Sequence, residues 1–270
     1  MKELEFYKMS ASGNDFIIID NRDGIMGERF PDLSAFTVKV CRRNHSVGAD
    51  GLILIENGEN VDFAWRFFNA DGSEAEMCGN GGRCAARYCF LRGIAPETMT
   101  FQTLAGTIKA HVMGANVKLQ LTDPHELKLD HPVQIDDKEI FLSSVNTGVP
   151  HAVVIVDDVD RLHVEELGRT IRFHKAFGEK GSNVDFVQIA DSSRIRIRTY
   201  ERGVEGETYA CGTGAVAAAV VLNKKGLVKN PVDVVTRGGE TLKVHLGDEV
   251  YLEGDTRIIY MAVLHEEALR

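Results

Sequence analysis

Met77-Cys78-Gly79-Asn80-Gly81 and Ala210-Cys211-Gly212-Thr213-Gly214 are near-copies of one unusual string, and each opens an alanine-rich run able to form a helix. A cysteine placed before a glycine turn and a helix start faces backbone N–H groups and the positive end of the helix dipole, which favours a thiolate. One such placement is compatible with a purely structural role. Two in one chain point to a matched pair of acid/base thiols facing one substrate.

With the two strings as anchors, the flanking sequence also repeats. Downstream, Thr103 to Val112 (TLAGTIKAHV) answers Thr236 to Leu246 (TRGGETLKVHL), and both read as β-hairpins turned at Ala-Gly or Gly-Gly. Upstream, FAWRFFN (Phe63 to Asn69) answers RIRIRTYER (Arg194 to Arg202). ADGLILIE (Ala49 to Glu56) parallels VDFVQIA (Val184 to Ala190), and GNDFIIID (Gly13 to Asp20) parallels PHAVVIVDD (Pro150 to Asp158). The order of elements is preserved, so the chain reads as one unit written twice and not as a solenoid.

The expected fold is α+β: two pseudo-symmetric lobes from an internal duplication, each a curled β-sheet around a central helix. The helices are predicted over Gly81 to Leu91 and Gly214 to Lys225, starting just after each cysteine loop. Their N-terminal ends would point into a shared cleft. The Pro-containing stretch Thr122-Asp123-Pro124 marks the boundary. It gives an N-terminal lobe over 1–121 and a C-terminal lobe over 122–258. The last strand-like run, Arg257 to Leu264, has no counterpart at the end of the first half, and residues 259–270 are expected to cross back and complete the first lobe.

Composition narrows the function. The chain has 270 residues, enough for one large domain or two modest ones, and at 44% hydrophobic and 26% charged its composition is that of an ordinary soluble globular protein. A net charge of −9 without a basic run argues against nucleic acid. No apolar stretch is long enough to span a bilayer, and MKELEFYKMS lacks a signal-peptide core. Five cysteines, an odd number, read as reduced thiols in a cytoplasm.

Free cysteine is among the most buried residue types, and Cys41, Cys84 and Cys89 fit that structural role. Cys78, Cys84 and Cys89 are spaced too widely for a zinc knuckle, so no metal is expected. No Cys-x-x-Cys supports a disulfide oxidoreductase, and a cysteine hydrolase leaves the second thiol unexplained. Inversion at a carbon bearing hydrogen uses both. A thiolate removes the proton from one face, and a thiol returns one on the other. Thiol pKa values near ~8.5, lowered at helix N-termini, suit both roles. The helix N-termini and the Cys-Gly-x-Gly N–H groups would hold a substrate carboxylate, and no cofactor is required.

The strings SGNDFIIID, GADGLILIE, FFNADGSEAEMCGNGGRCAARY, TGVPHAVVIVDD, GSNVDFVQ and YERGVEGETYACGTGAVAAA together resemble the diaminopimelate epimerase family, in family order across both halves. The resemblance implies a pyridoxal-independent epimerase that interconverts LL-2,6-diaminopimelate and meso-diaminopimelate in lysine and peptidoglycan-precursor biosynthesis. It implies that Cys78 and Cys211 are the acid/base thiols and that Gly79, Asn80, Gly212 and Thr213 supply groups to the reacting carboxylate. Asn14, Asn69, Asn183 and Arg202 would fix the two amino-acid ends, with Glu201 and His151 a catalytic polar pair beside the reacting ammonium. Taken singly, the three asparagines also fit backbone roles at strand ends, and His151 and Glu201 fit structural ones. The expected partner is the small-molecule substrate, with no nucleic acid and no membrane; a homodimer is the assembly considered.

Two positions depart from the family pattern. Gly51 stands where many members carry Gln, and Val149-Pro150-His151 where many have Asn-Pro-His. Those two side-chain contacts to substrate are expected to be replaced by backbone, water or a residue such as Asn146. Two rival readings are a proline-type two-thiol racemase, which typically carries Met-Cys-Gly-His at the first site, and a thiol-based metal or redox module.

Overall fold

In the computed structural model, which describes residues 3–135 and 138–270, each half of the chain builds the same arrangement of strands around one buried helix. Met1 and Lys2, the start of the segment read above for a leader, lie outside the described residues. The chain divides into two compact units, one of residues 1–119 with 254–270 and one of residues 120–253.

The first unit runs β1 (Leu4–Ala11), β2 (Asn14–Asp20), α1 (Ile25–Arg29), α2 (Leu33–Cys41), β3 (Gly51–Glu56), β4 (Phe63–Asn69), β5 (Glu74–Ala75), α3 (Gly79–Leu91), β6 (Thr98–Thr103), β7 (Gly106–Met113) and β8 (Asn116–Gln120). The second runs β9 (His125–Ile135), β10 (Lys138–Asn146), β11 (Pro150–Ile155), α4 (Val164–Arg172), β12 (Asn183–Ile189), β13 (Arg194–Glu201), β14 (Gly206–Thr208), α5 (Gly212–Lys224), β15 (Val232–Val235), β16 (Thr241–His245) and β17 (Tyr251–Asp255). The last strand is β18 (Arg257–Leu264).

Pairing is identical in kind. β1 and β2 are antiparallel, β2 and β3 parallel, β3 and β4 antiparallel, β4 and β6 parallel, then β6, β7 and β8 antiparallel in turn. In the second unit β10 to β13 follow the same sequence, β13 and β15 are parallel, and β15, β16 and β17 are antiparallel. β18 lies antiparallel to β1, as β9 does to β10. The final strand therefore has a counterpart after all, at the start of the second half and not at the end of the first.

Two hairpins differ in detail from the sequence reading. The strings from Thr103 and Thr236 hold the turn and the second strand; the first strand of each pair, β6 or β15, lies upstream. Thr103 pairs with Gly106, so the turn residues are Leu104 and Ala105, and Gly106 takes the positive φ that ends the turn.

Strand periodicity sorts side chains to the two faces of each sheet. In the second unit Ala152, Val154, Val184 and Phe186 pack under α4 with Val164 and Ile171. In the first, Ile17, Ile19, Leu52 and Leu54 pack under α2 with Phe36 and Val40. The other face wraps the central helix: α3 touches β1, β2, β3 and β7, and α5 touches β10 to β13, β15 and β16. Gly214 to Leu222 are buried without interruption, so α5 is apolar all round and not on one side only.

Candidate active site

Both central helices begin earlier than the sequence predicts. They start at Gly79 and Gly212, and the cysteines themselves are the N-caps, in extended conformation. The first intrahelical bonds run from Gly82 N–H to Cys78 O (2.8 Å) and from Ala215 N–H to Cys211 O (2.9 Å). The N–H groups of Gly79, Asn80, Gly212 and Thr213 therefore fall in the first turn, where no intrahelical acceptor exists. A glycine-rich first turn leaves those donors unobstructed by side chains.

In the first unit the Cys78 sulfur accepts from Gly81 N–H at 3.4 Å. Asn80 donates to Asn14 Oδ1 (2.7 Å), and Asn14 donates to Asp50 Oδ2 (3.1 Å). The buried Arg83 guanidinium donates to Asn80 Oδ1 and to Ser12 Oγ, each at 2.8 Å. Arg43 forks across Asp15 and Asp50, and Lys8 sits 2.8 Å from Asp15 while donating to Gly48 O. Burial alone would raise the Asp15 carboxyl, but hydrogen bonds and charge from Arg43 and Lys8 outweigh it and hold its pKa at about 2. Asn69, at the end of β4, donates to Ser73 Oγ at 3.0 Å, a turn contact. Gly51 opens β3, and a Cβ there would lie 2.6 Å from the Phe67 ring and 2.7 Å from Phe68 O. The Phe67 ring thus fills the space a side chain at 51 would need.

The second unit is more closely wired. His151 and Asp185 are fully buried, with Nδ1 to Oδ2 at 2.7 Å. His151 Nε2 lies 3.0 Å from Thr213 Oγ1, which lies 3.3 Å from the Cys211 sulfur. Thr199 donates to Asp185 Oδ1 (2.7 Å), and Thr147 donates to Thr213 O (3.1 Å). Asn183 accepts from Arg202 N–H at 2.8 Å and donates to Pro150 O at 3.3 Å. Asn146 accepts from Gly148 N–H at 3.0 Å.

The thiol electrostatics correct the sequence reading for Cys211. Its helix N-terminal position predicts a lowered pKa; burial instead pushes the thiol well up, helped by the charges of Glu201 and Asp185 and opposed by hydrogen bonding with the Thr213 side chain and the Gly214 backbone. Burial also raises the Glu201 carboxyl, opposed by the Thr208 side chain. Cys41 and Cys84 are pushed up to about 12 by burial, and Cys89 rises for the same reason. All five cysteines are free thiols. Among the described residues no group of three His, Cys, Asp or Glu is arranged to hold a metal ion, and no helix is long and apolar enough to cross a membrane.

Cys78, Asn80 and Asn14 are thus brought together in the first unit, and Cys211, Thr213, His151 and Asn183 in the second. Asp185 was missed by sequence reasoning. Its only signal was a carboxylate between the apolar Val184 and Phe186 of the strand NVDFVQI.

The family profile described as diaminopimelate epimerase matches residues 6–126 and 143–259. The chain is 50% identical over 278 residues to the diaminopimelate epimerase of Aquifex aeolicus (strain VF5), covering 98% of this chain and 99% of that one. It is 48% identical over 271 residues to that of Hydrogenobaculum sp. (strain Y04AAS1), covering 96% and 98%. The same fold recurs in a Bacillus anthracis phenazine biosynthesis protein of the PhzF family, at TM-score 0.71 and 15% identity over 98% of this chain and 100% of that one. A probable proline racemase from Agrobacterium radiobacter K84 also has TM-score 0.71, at 14% identity over 97% and 93%. At such identities the likeness is one of fold.

Proposed function

The chain belongs to the diaminopimelate epimerase family, and on that footing we propose that it interconverts LL-2,6-diaminopimelate and meso-diaminopimelate without a cofactor, serving lysine and peptidoglycan-precursor synthesis. One observation carries the reading: a cysteine caps the equivalent central helix of each duplicated unit.

In this scheme one thiolate takes the α-proton, the electron pair is left on the α-carbon, and the other thiol delivers its proton to the opposite face. The roles exchange for the reverse direction. The first-turn N–H groups of Gly79, Asn80, Gly212 and Thr213 receive the α-carboxylate, whose charge grows as the carbanion forms. Glu201 serves the reacting ammonium, and His151, the other member of that polar pair, has its ring nitrogens engaged by Asp185 and Thr213. Asn14, Asn69, Asn183 and the Arg202 fork orient the two amino-acid ends. With Gly51 and Val149 offering no amide, Asn146 and backbone groups take over those contacts. The free cysteines support a cytoplasmic setting. A homodimer is proposed from β18, which exposes Ile259, Met261 and Val263; a monomeric mass in concentration-dependent sedimentation would remove it.

The test is incubation of reduced protein with meso-diaminopimelate in D2O, reading isomer ratio and α-deuterium. Interconversion with deuterium uptake is expected in the unaltered protein. Its loss is expected in both Cys78→Ala and Cys211→Ala. No exchange by folded, reduced protein overturns the substrate, and interconversion surviving in either variant overturns the two-thiol scheme.

A further inference from the structure

Cys211 poses a chemical problem for any reaction in which it acts as a base. It is buried, and the charged groups facing it are two carboxylates, Glu201 from β13 and Asp185 from β12. Both disfavour a thiolate. Yet its sulfur begins an unbroken hydrogen-bonded chain through Thr213 Oγ1 and His151 to Asp185, with links of 3.3, 3.0 and 2.7 Å.

Backbone groups with a single possible role orient the amide beside that chain. Arg202 N–H can only donate, and it meets Asn183 Oδ1; Pro150 C=O can only accept, and it meets Asn183 Nδ2. The Asn183 amide is thereby oriented with its NH2 toward His151 Nε2, at 3.5 Å. A donor facing Nε2 and a carboxylate facing Nδ1 are both satisfied by a ring that accepts at Nε2 and donates from Nδ1 to Asp185 Oδ2. The Thr213 hydroxyl then donates to Nε2 and accepts from the Cys211 S–H.

Asp185 itself is held in place from several directions. Thr199 donates to its other oxygen, and the carboxylate packs so closely on the first turn of α5 that a Cβ on Gly214 would lie 2.3 Å from Oδ1. A carboxylate locked in this way fixes the tautomer and rotation of the ring it accepts from.

Resting on the epimerase reading, we propose that Asp185 is a positioning residue and that the Thr213 hydroxyl and His151 form the relay through which Cys211 becomes a thiolate. The Cys211 S–H bond breaks as its proton passes to Thr213 Oγ1. The Thr213 O–H proton passes to His151 Nε2 in the same movement. One proton leaves sulfur and one arrives on nitrogen, giving a thiolate, an intact hydroxyl that now donates to it, and an imidazolium facing Asp185. When Cys211 acts as the acid, the thiol form gives its proton to substrate, and the relay returns one from His151.

The ring state is read first, by long-range proton–nitrogen correlation of the histidine side chains, with His151→Gln used only to assign the signal. A protonated Nδ1 and bare Nε2 are expected; the reverse tautomer overturns the proposal. The Cys211 thiolate is then titrated by its ultraviolet absorbance in the Cys78→Ala background. Asp185→Asn, and separately Thr213→Val, should move that titration to higher pH by about one pH unit or more. In the two-thiol enzyme Asp185→Asn should lower kcat on the order of 100-fold, the scale of a positioned acid/base group, with KM within about threefold. An unmoved titration in the folded variants, or wild-type kcat in Asp185→Asn, overturns it. If Asp185→Asn fails to fold, Thr213→Val decides, since it leaves the His151–Asp185 contact in place. If the unaltered protein does not exchange the α-proton of diaminopimelate, the epimerase reading fails, while ring state and thiolate titration still judge the relay.

Discussion

Gly214 shows what a single position is asked to do in this protein. It lies in the first turn of α5, where a Cβ would meet Asp185 Oδ1 at 2.3 Å. The carboxylate has little room to retreat, because His151 and Thr199 hold its two oxygens. Gly214→Ala is therefore expected to cost about 2 kcal/mol or more through overpacking, and to depress activity by disturbing the histidine. Gly27, in α1, is the contrasting case: an added Cβ there meets no heavy atom within 4 Å. Gly27→Ala should stabilise by about 0.5–1 kcal/mol, since alanine loses less backbone entropy in a helix. Denaturant midpoints for the two variants, at unchanged slope, check both signs. The glycine-rich strings were legible as motifs. The reason for this glycine was not, because the atom that needs the space comes from β12.

At the scale of elements, the central helices begin on unusual caps. Oxygen side chains serve best at that position, and a thiol is a weak acceptor. Cys78→Ser is accordingly expected to hold α3 as well or better, by a few tenths to about 1 kcal/mol, while epimerase activity collapses. A denaturation curve and the deuterium assay on the same preparation test this; a clear loss of stability would contradict it. A second junction ties β1, β2 and β3 together through Lys8, Asp15, Arg43 and Asp50. The Asp15 pKa is lowered from 3.8 to about 2, so its contribution is present above pH ~4 and lost as pH falls toward ~2. Allowing for solvent screening, this is about 1 kcal/mol. Asp15→Asn should lower stability at neutral pH by that amount and flatten this part of the acid-unfolding profile.

For the molecule as a whole, the chain does not divide at one point. The first unit takes its last strand from the far end of the sequence, where β18 pairs with β1 from Leu4–Leu264 to Ser10–Arg257. Residues 120–253 form a continuous unit with its own core around Phe186, Tyr200 and Ile171. Removing residues 257–270 should expose β1 and the apolar residues beside Leu264, loosening the first unit and sparing the second. Limited proteolysis of the truncated protein is expected to leave a resistant fragment near 120–253. Equal loss of both units would show that the second depends on the first.

The sequence alone determined the duplication, the order of its matching strands, and a central helix opening just after each cysteine string; α1, α2, α4 and the capping role of the cysteines came from the structure. The first three are written locally: apolar alternation sets a strand, an alanine-rich run sets a helix, and repeated strings set the repeat. Asn14, Asn69, Asn183, Arg202 and His151 could be singled out by motif. Tertiary structure decided what they touch, that β18 answers β9, and that Asp185 joins His151. It also reversed the expected shift of the Cys211 thiol. The physical reason is common to these results. Parallel strands joined by long crossovers bring together residues far apart in sequence, and desolvation depends on what the fold places around a group, which no local string contains.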